Sequence, residues 1–179
     1  MKSIFLITPI FLLICCTGKD VKPKIDHSFV VEELPAQESW NSTIFFTDSG
    51  KTRAILTTGH LQVFNSKKET ILDDGVKVEF FNSLEEKTTV LTSKRGRVDE
   101  KTNDLYAIDS VVAVNDSGIV VKTDELKWRD SDKKIVSDKF VTIDSPNEHI
   151  EGYGFESDQH LRNYVIYKIT YITNAKKEQ

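Results

Sequence analysis

Cysteine is nearly absent from this chain of 179 residues. The only two, Cys15 and Cys16, are adjacent at the end of an apolar segment, and none follows them. A disulfide framework inside a folded domain is therefore excluded, because such frameworks need several cysteines spread along the domain. Two neighbouring thiols this close to the start of the chain need another explanation.

The chain also lacks an excess of positive charge and the common catalytic motifs. The chain has 24 Lys+Arg against 28 Asp+Glu, a formal net charge of -4 and no basic stripe typical of a nucleic-acid surface. There is no Gly-x-Ser-x-Gly elbow and no glycine-rich phosphate loop. The four histidines are scattered without metal-ligand spacing: His27, His60, His149 and His160. We therefore predict that the protein is not an enzyme, binds no nucleic acid and needs no metal or other cofactor.

The chain also lacks an apolar run long enough to cross a membrane. Residues 4–16 are apolar except for Thr8 and Pro9, which is short of the roughly 20 residues that a transmembrane helix needs. This pattern, after Lys2, predicts a secretory signal peptide over residues 1–15. The residues Leu-Ile-Cys-Cys at 13–16 resemble a bacterial lipobox and favour acylation of Cys16.

Other interpretations of this segment remain open. Acylation of Cys15 would put the bulky Ile14 at the position before the modified residue, where small residues are usual. A short uncleaved anchor, or a cleaved signal whose cysteines have no role, would also fit. If Cys16 carries several acyl chains, the anchor is stable, whereas a single chain binds a membrane reversibly.

The rest of the chain divides into three parts by composition. Residues 16–40 contain Pro23 and Pro35 without a sustained apolar period, and are predicted to be the lipidated N-terminus and a flexible linker. Residues 41–173 form the predicted folded domain, and residues 174–179 a polar tail. The mature domain is expected to lie in the periplasm, tethered to the inner membrane.

Short segments rich in Val, Ile, Thr, Phe and Tyr dominate the predicted domain, separated by turns rich in Asn, Asp, Ser and Gly. No long segment has a helical period, so the domain is predicted to be all-β and antiparallel. The predicted strands are STIFFT, KTRAILTTGHLQVF, VKVEFF, TTVLTSKRGRV, LYAIDSVVAV, IVVKTDELKW, IVSDKFVTI, HIEGYGFES and YVIYKITYI.

A weak internal repeat of 29 to 30 residues supports this fold class. Leu91, Val121 and Ile150 each open a strand at this spacing, and Asp109 and Asp138 are 29 residues apart. Stacked hairpins of this kind bury a face that one hairpin cannot bury alone. The repeat predicts an elongated roll or sandwich.

Alternation along the strands predicts which residues face the interior. In DSVVAVND, Val112 and Val114 share one face, opposite Val111 and Ala113. The 29-residue repeat matches Val112 to a valine of KFVTID, and this match places the Val112 face inside.

Three pieces of the chain, in this order, resemble the LptC family, the periplasmic component of the lipopolysaccharide export ABC transporter. They are ILDDGVKVEFFN, the long stretch from LTSKRGRVDEKTNDLYAIDS through TDELKW to SDKFVTID, and IEGYGFESD. The resemblance covers roughly residues 52–158. Members of this family more often keep an uncleaved transmembrane helix, which a lipid anchor would replace here.

The resemblance implies an open β-jellyroll whose apolar interior holds the acyl chains of lipopolysaccharide. Such a domain takes lipid from permease subunits in the inner membrane and passes it to an LptA-like bridge protein. Free edge strands can extend a sheet into a partner. The first strand, with Ile44 and Phe46, is expected to meet the permease jellyrolls, and the last, with Val165 and Tyr167, the bridge protein.

The resemblance turns the predicted interior into a candidate lipid-binding lining. Gly152 and Gly154 either leave space for lipid or mark a β-bulge. A lipoprotein with a closed β-sandwich that binds a protein partner is the alternative function. The predicted lining residues are Val112, Val114, Val121, Leu126, Trp128, Val141, Ile143, Ile150 and Phe155.

Overall fold

A computed structural model describes residues 34–174 of the chain. The predicted signal peptide, Cys16 and residues 175–179 lie outside the described residues. Within residues 34–174 there are ten β-strands and no helix, which confirms the predicted fold class. The strands are β1 (Gln37–Asp48), β2 (Lys51–Phe64), β3 (Glu69–Phe81), β4 (Lys87–Ser93), β5 (Arg95–Asp99), β6 (Asp104–Asn115), β7 (Val120–Arg129), β8 (Lys134–Asp144), β9 (Glu148–Asp158) and β10 (Tyr164–Asn174).

The strands form one antiparallel sheet in nearly sequential order. The order is β1-β2-β3-β4-β6-β7-β8-β9-β10, and β5 continues β4 between β3 and β6. Apart from β4 and β5, consecutive strands therefore pair through short turns, as the predicted turn residues require. The two ends of the sheet, β1 and β10, each pair with a single neighbour.

The sheet rolls on itself so that its two halves share a core. Buried apolar residues from β2 and β3 belong to the same cluster as those from β6 to β9. The turn between β9 and β10 joins the halves: Leu161 is fully buried, and His160 hydrogen-bonds through Nδ1 to Thr88 Oγ1 (2.8 Å). The result is an open antiparallel β-jellyroll.

A continuous line of irregular positions, which we call the bulge line, crosses the sheet from β1 to β10. Adjacent strands lose their regular pairing at neighbouring points, so each irregularity lies beside the next. Bulges bend strands, and a bend repeated across a sheet lets it roll. The positions are Asn41, Gly59, Asp74 with Gly75, Lys94, Asp109 with Ser110, residues 124–126, residues 138–139, and Gly154 with Tyr167.

Side-chain hydroxyls satisfy carbonyl groups along the bulge line. Thr58 Oγ1 shares its single proton between the carbonyl oxygens of His60 and Asp73 (3.0 and 2.9 Å). Ser137 Oγ donates to the carbonyl of Glu125 (2.7 Å). Buried backbone groups need partners, so these hydroxyls replace ladder bonds that the bulges interrupt. A Cβ at Gly59 would lie 2.6 Å from the Asp74 carbonyl oxygen, which explains the glycine there.

The largest differences between the observed and the predicted strands are at three places. β1 begins at Gln37, so residues 37–40 belong to the strand and not to the predicted linker. β3 begins at Glu69, earlier than the predicted VKVEFF segment, because its first half pairs with β5. The predicted strand TTVLTSKRGRV is two strands, separated at Lys94 on the bulge line.

Candidate lipid-binding interior and edge strands

Seven of the nine predicted lining residues lie on the interior side of the roll. Six of them are at most 5% exposed and belong to the core: Val121, Leu126, Val141, Ile143, Ile150 and Phe155. Trp128 is partly buried and packs against that core. Val121, Val141 and Ile143 are completely inaccessible, so the centre of the roll is sealed in this conformation.

The predicted interior placement of Val112 and Val114 is wrong. Val111 and Ala113 are buried, whereas Val114 is 38% exposed and Val112 half-buried on the outer face. The cause is the bulge line: Asp109 and Ser110 have φ angles of 69° and 54°. The interior valine follows Asp109 by two positions in β6, but Val141 follows its aspartate by three in β8. The true spacing is therefore 30, and a register error of one residue exchanges the two faces.

An apolar cavity of about 550 Å³ is accessible at one end of the roll. Its wall comes from both halves of the sheet, and it lies between the end of β1 and the turn that joins β7 to β8. Of the residues predicted from the sequence, only Trp128 and Phe46 line it. The complete lining is Phe46, Thr47, Asp48, Arg53, Ala54, Val78, Phe80, Leu105, Trp128, Asp130, Lys133 and Gln159.

Sequence reasoning missed most of this wall. Val78 and Phe80 are 1% and 3% exposed. The alternation of apolar and charged residues in VKVEFF is the local pattern that could have predicted both as interior residues. Ala54 comes from β2, which the repeat did not include, and Leu105 lies at the start of β6, before the positions that the repeat matched. The cavity joins the two halves of the roll, and no local pattern shows which strands face each other across it.

Charged side chains surround the apolar wall. Lys133 pairs with Asp130, and its ammonium group lies 5.1 Å from the centre of the Trp128 ring. Arg53 lies 3.8 Å from Asp48. An apolar wall with a charged mouth suits an amphiphile, because a chain can enter the wall region while a polar head stays at the mouth.

The indole N–H of Trp128 is buried and has no hydrogen-bond acceptor among residues 34–174. A buried donor without a partner costs about 1–3 kcal/mol. Trp128 therefore contributes apolar area at a cost to stability.

The two edge strands differ in how well their interior residues are covered. Ile44 of β1 packs against the core, and Phe46, 43% exposed, lines the cavity. On β10, Ile169 and Ile172 pair with Gly152 and Ile150, so they face the interior side, yet they are 53% and 55% exposed. Interior residues at the end of β10 therefore lack a cover within the described chain.

The predicted contact residues of β10 are exposed on its other face. Val165 and Tyr167 are 55% and 69% exposed. Tyr167 lies over Gly154, whose φ angle is 74°, and a Cβ at Gly152 would approach the Lys168 carbonyl oxygen to 2.5 Å. Of the two interpretations of these glycines, the structure supports the bulge and the close approach of β10.

A polar cluster lies beside the end of β10. His149 contacts Asp144 through Nδ1 (2.6 Å) and Glu151 through Nε2 (3.2 Å), and its ring meets that of Tyr171 edge to face. The hydrogen bond to Asp144, followed by the one to Glu151, raises the pKa of His149. Within residues 34–174 no group of side chains forms a metal site.

These features define the chain as an open β-jellyroll with an apolar cavity at one end and two edge strands, each of which pairs on one side only. The family model described as lipopolysaccharide-assembly, LptC-related, matches residues 38–171, and the chain belongs to this family. It is therefore a component of lipopolysaccharide export, whose partners are lipopolysaccharide and the other parts of the export transporter. No curated protein sequence matches the chain. In residues 34–174 no helix is long and apolar enough to cross a membrane.

Proposed function

We propose that this protein carries lipopolysaccharide through the periplasm, from the inner-membrane permease to an LptA-like bridge protein. The observation that carries the proposal is the apolar cavity of about 550 Å³ next to the edge strand β1. Its volume lies within the ~300–1,000 Å³ of pockets that bury a small ligand. It therefore receives part of a multi-chain lipid, and the remaining chains lie along the open side.

The edge strands supply the contacts with neighbouring proteins. β1 adds to a jellyroll of the permease, and β10 adds to the bridge protein, so that one sheet continues through the three. Backbone hydrogen bonds give such contacts their affinity, and side chains such as Tyr167 give them specificity. Ile169 and Ile172, exposed on the interior side of β10, would continue the apolar interior into the bridge protein.

Acylation of Cys16 anchors the protein to the inner membrane in this proposal. The residues between Cys16 and the first strand form the tether. Since a lipid anchor makes no helix contact with the permease, pairing through β1 must hold the complex together.

Photo-crosslinking at two neighbouring phenylalanines of β1 tests lipid carriage. Phe46 lines the cavity, whereas Phe45 is 62% exposed and faces outward. The full chain, with a photoreactive phenylalanine at one of the two positions, is irradiated in cells that make lipopolysaccharide. We expect lipopolysaccharide adducts, detected by immunoblot, at position 46 and not at position 45. Adducts at neither position, in a chain that reaches the membrane, would contradict the proposal.

The alternative function, a lipoprotein that binds a protein partner through a closed sandwich, draws support from the sealed centre of the roll. Val121, Val141 and Ile143 are inaccessible, as in an ordinary core. Under this alternative, the probe at position 45 or on Tyr167 crosslinks a protein, and the probe at position 46 captures no lipid.

A further inference from the structure

Arg53 occupies a distinctive position at the mouth of the cavity. It precedes Ala54 on β2 and lines the cavity together with the apolar wall. Its Nη1 donates a hydrogen bond to the carbonyl of Asn82 (3.2 Å), which holds the guanidinium in place. The side chain is 31% exposed, so one side of it faces solvent.

The remaining donors of Arg53 are weakly engaged. Nη2 lies 3.8 Å from Asp48, beyond hydrogen-bonding distance, and the Asp48 side chain is 71% exposed. Exposed ion pairs of this kind contribute little. Within residues 34–174, neither Nη2 nor Nε of Arg53 has a hydrogen-bond acceptor.

The second cation at the mouth is already engaged. Lys133 is 60% exposed, but its ammonium group contacts Asp130 and lies 5.1 Å from the centre of the Trp128 ring, so it already has two partners in the protein. Arg53 therefore keeps the free donors at the boundary between the apolar wall and solvent. A planar guanidinium with two free donors matches a phosphate group, which it binds through parallel hydrogen bonds.

We infer that Arg53 binds a phosphate group of an acylated lipid whose chain enters the cavity. This inference rests on the proposed function and names the part of the ligand that the mouth recognises. Asp48, being exposed, turns toward solvent when the phosphate replaces it. Lipopolysaccharide and glycerophospholipids share this chemistry, a phosphate ester next to acyl chains, and the experiment separates them.

The test uses the full chain in a mild detergent, with the photoreactive phenylalanine at position 46. Three lipids are compared: phosphorylated lipid A, the same lipid A after removal of its phosphates, and phosphatidylglycerol. Adduct yield is measured by mass spectrometry for the chain with Arg53, for Arg53→Gln and for Arg53→Lys. Lys51→Gln is the matched control, because Lys51 lies on the same strand outside the cavity, bonded to the carbonyl of Ser83 (3.0 Å).

We expect Arg53→Gln to lower the adduct with phosphorylated lipid A about tenfold, the loss expected for a charge-assisted hydrogen bond. Arg53→Lys should lower the adduct yield less, because lysine keeps the positive charge but cannot form two parallel hydrogen bonds to one phosphate. Lys51→Gln should match the chain with Arg53, and the dephosphorylated lipid should be insensitive to Arg53→Gln.

Each other outcome has a distinct meaning. Equal losses with both forms of lipid A, or no loss with the phosphorylated form, would overturn the role of Arg53 and leave lipid carriage intact. An Arg53-dependent adduct with phosphatidylglycerol alone would support phosphate binding and identify glycerophospholipid as its source. No adduct with any lipid would overturn both the proposed function and this inference.

Discussion

Ala113 and Ala54 are both small residues on the interior face of the roll, yet their surroundings differ. Ala113 lies in β6 between Leu91 and Val121, and all three are nearly inaccessible. Ala54 lies in β2 beside a cavity of about 550 Å³. One interior therefore has a sealed centre and an accessible end. The centre is packed as a stabilising core, and under the proposed function the accessible end is the part that binds lipid.

The largest effect should come from the sealed centre. Phe155, 1% exposed, packs against Tyr164 at a ring distance of 6.3 Å. Phe155→Ala should lower the free energy of unfolding by about 3–5 kcal/mol, because it leaves a cavity among close-packed residues. Phe45→Ala, on the exposed face of β1, should change it by less than about 0.5 kcal/mol. Urea denaturation followed by circular dichroism measures both, and equal losses would remove the contrast.

Filling each region with the same larger residue sharpens the comparison. Ala113→Leu should cost about 1–3 kcal/mol, because the sealed centre has no room for it. Ala54→Leu should stay within about 1 kcal/mol, since the new methyl groups enter empty space. The lipid adduct at position 46 should nevertheless fall in Ala54→Leu. Strong destabilisation by Ala54→Leu would show that the accessible end is as tightly packed as the centre. An unchanged adduct would show that the cavity is not the binding region.

The smallest effect concerns the uncovered end of β10, where Tyr171 meets His149. The hydrogen bond to Asp144 raises the pKa of His149 in the folded chain. Protonated His149 therefore stabilises the fold fully below its ordinary pKa of about 6.5, and this stabilisation is lost as the pH rises through the raised pKa of the folded state. His149→Gln should therefore lose stability relative to the unchanged chain near pH ~6, and the difference should disappear near pH ~9. Denaturation at both pH values and low salt measures it. If the difference in stability between the two chains is the same at both pH values, His149 stabilises the fold through packing and not through its charge.

Much of the fold followed from local patterns. β2 and the segments of β6 to β10 were predicted because Val, Ile, Thr and aromatic residues alternate between clusters of turn residues. The observed order along the sheet has the same local origin, since short turns make consecutive antiparallel strands neighbours. The extra length of β3 was missed: Asp73, Asp74 and Gly75 interrupt its apolar pattern where the bulge line crosses it.

The candidate site was less predictable. Trp128 was predicted as a lining residue, whereas Phe46 was predicted only as a partner contact on the edge strand. Arg53, Ala54 and Leu105 were not predicted, because they meet only when the two halves of the sheet close on each other. The placement of Val112 inside failed for a related reason. Strict alternation assumes a regular strand, and the two residues with positive φ in β6 change its phase.

The sequence by itself determined that the chain is an antiparallel all-β protein, because period-two alternation and turn chemistry are local properties. The LptC family was indicated separately, by the resemblance of three ordered sequence pieces to that family. Only the tertiary structure decided which faces meet and where the interior stays accessible. Those outcomes depend on the bulge line and on the closure of the roll through Leu161. Both arise from contacts between residues far apart in the chain, which short-range sequence patterns do not predict.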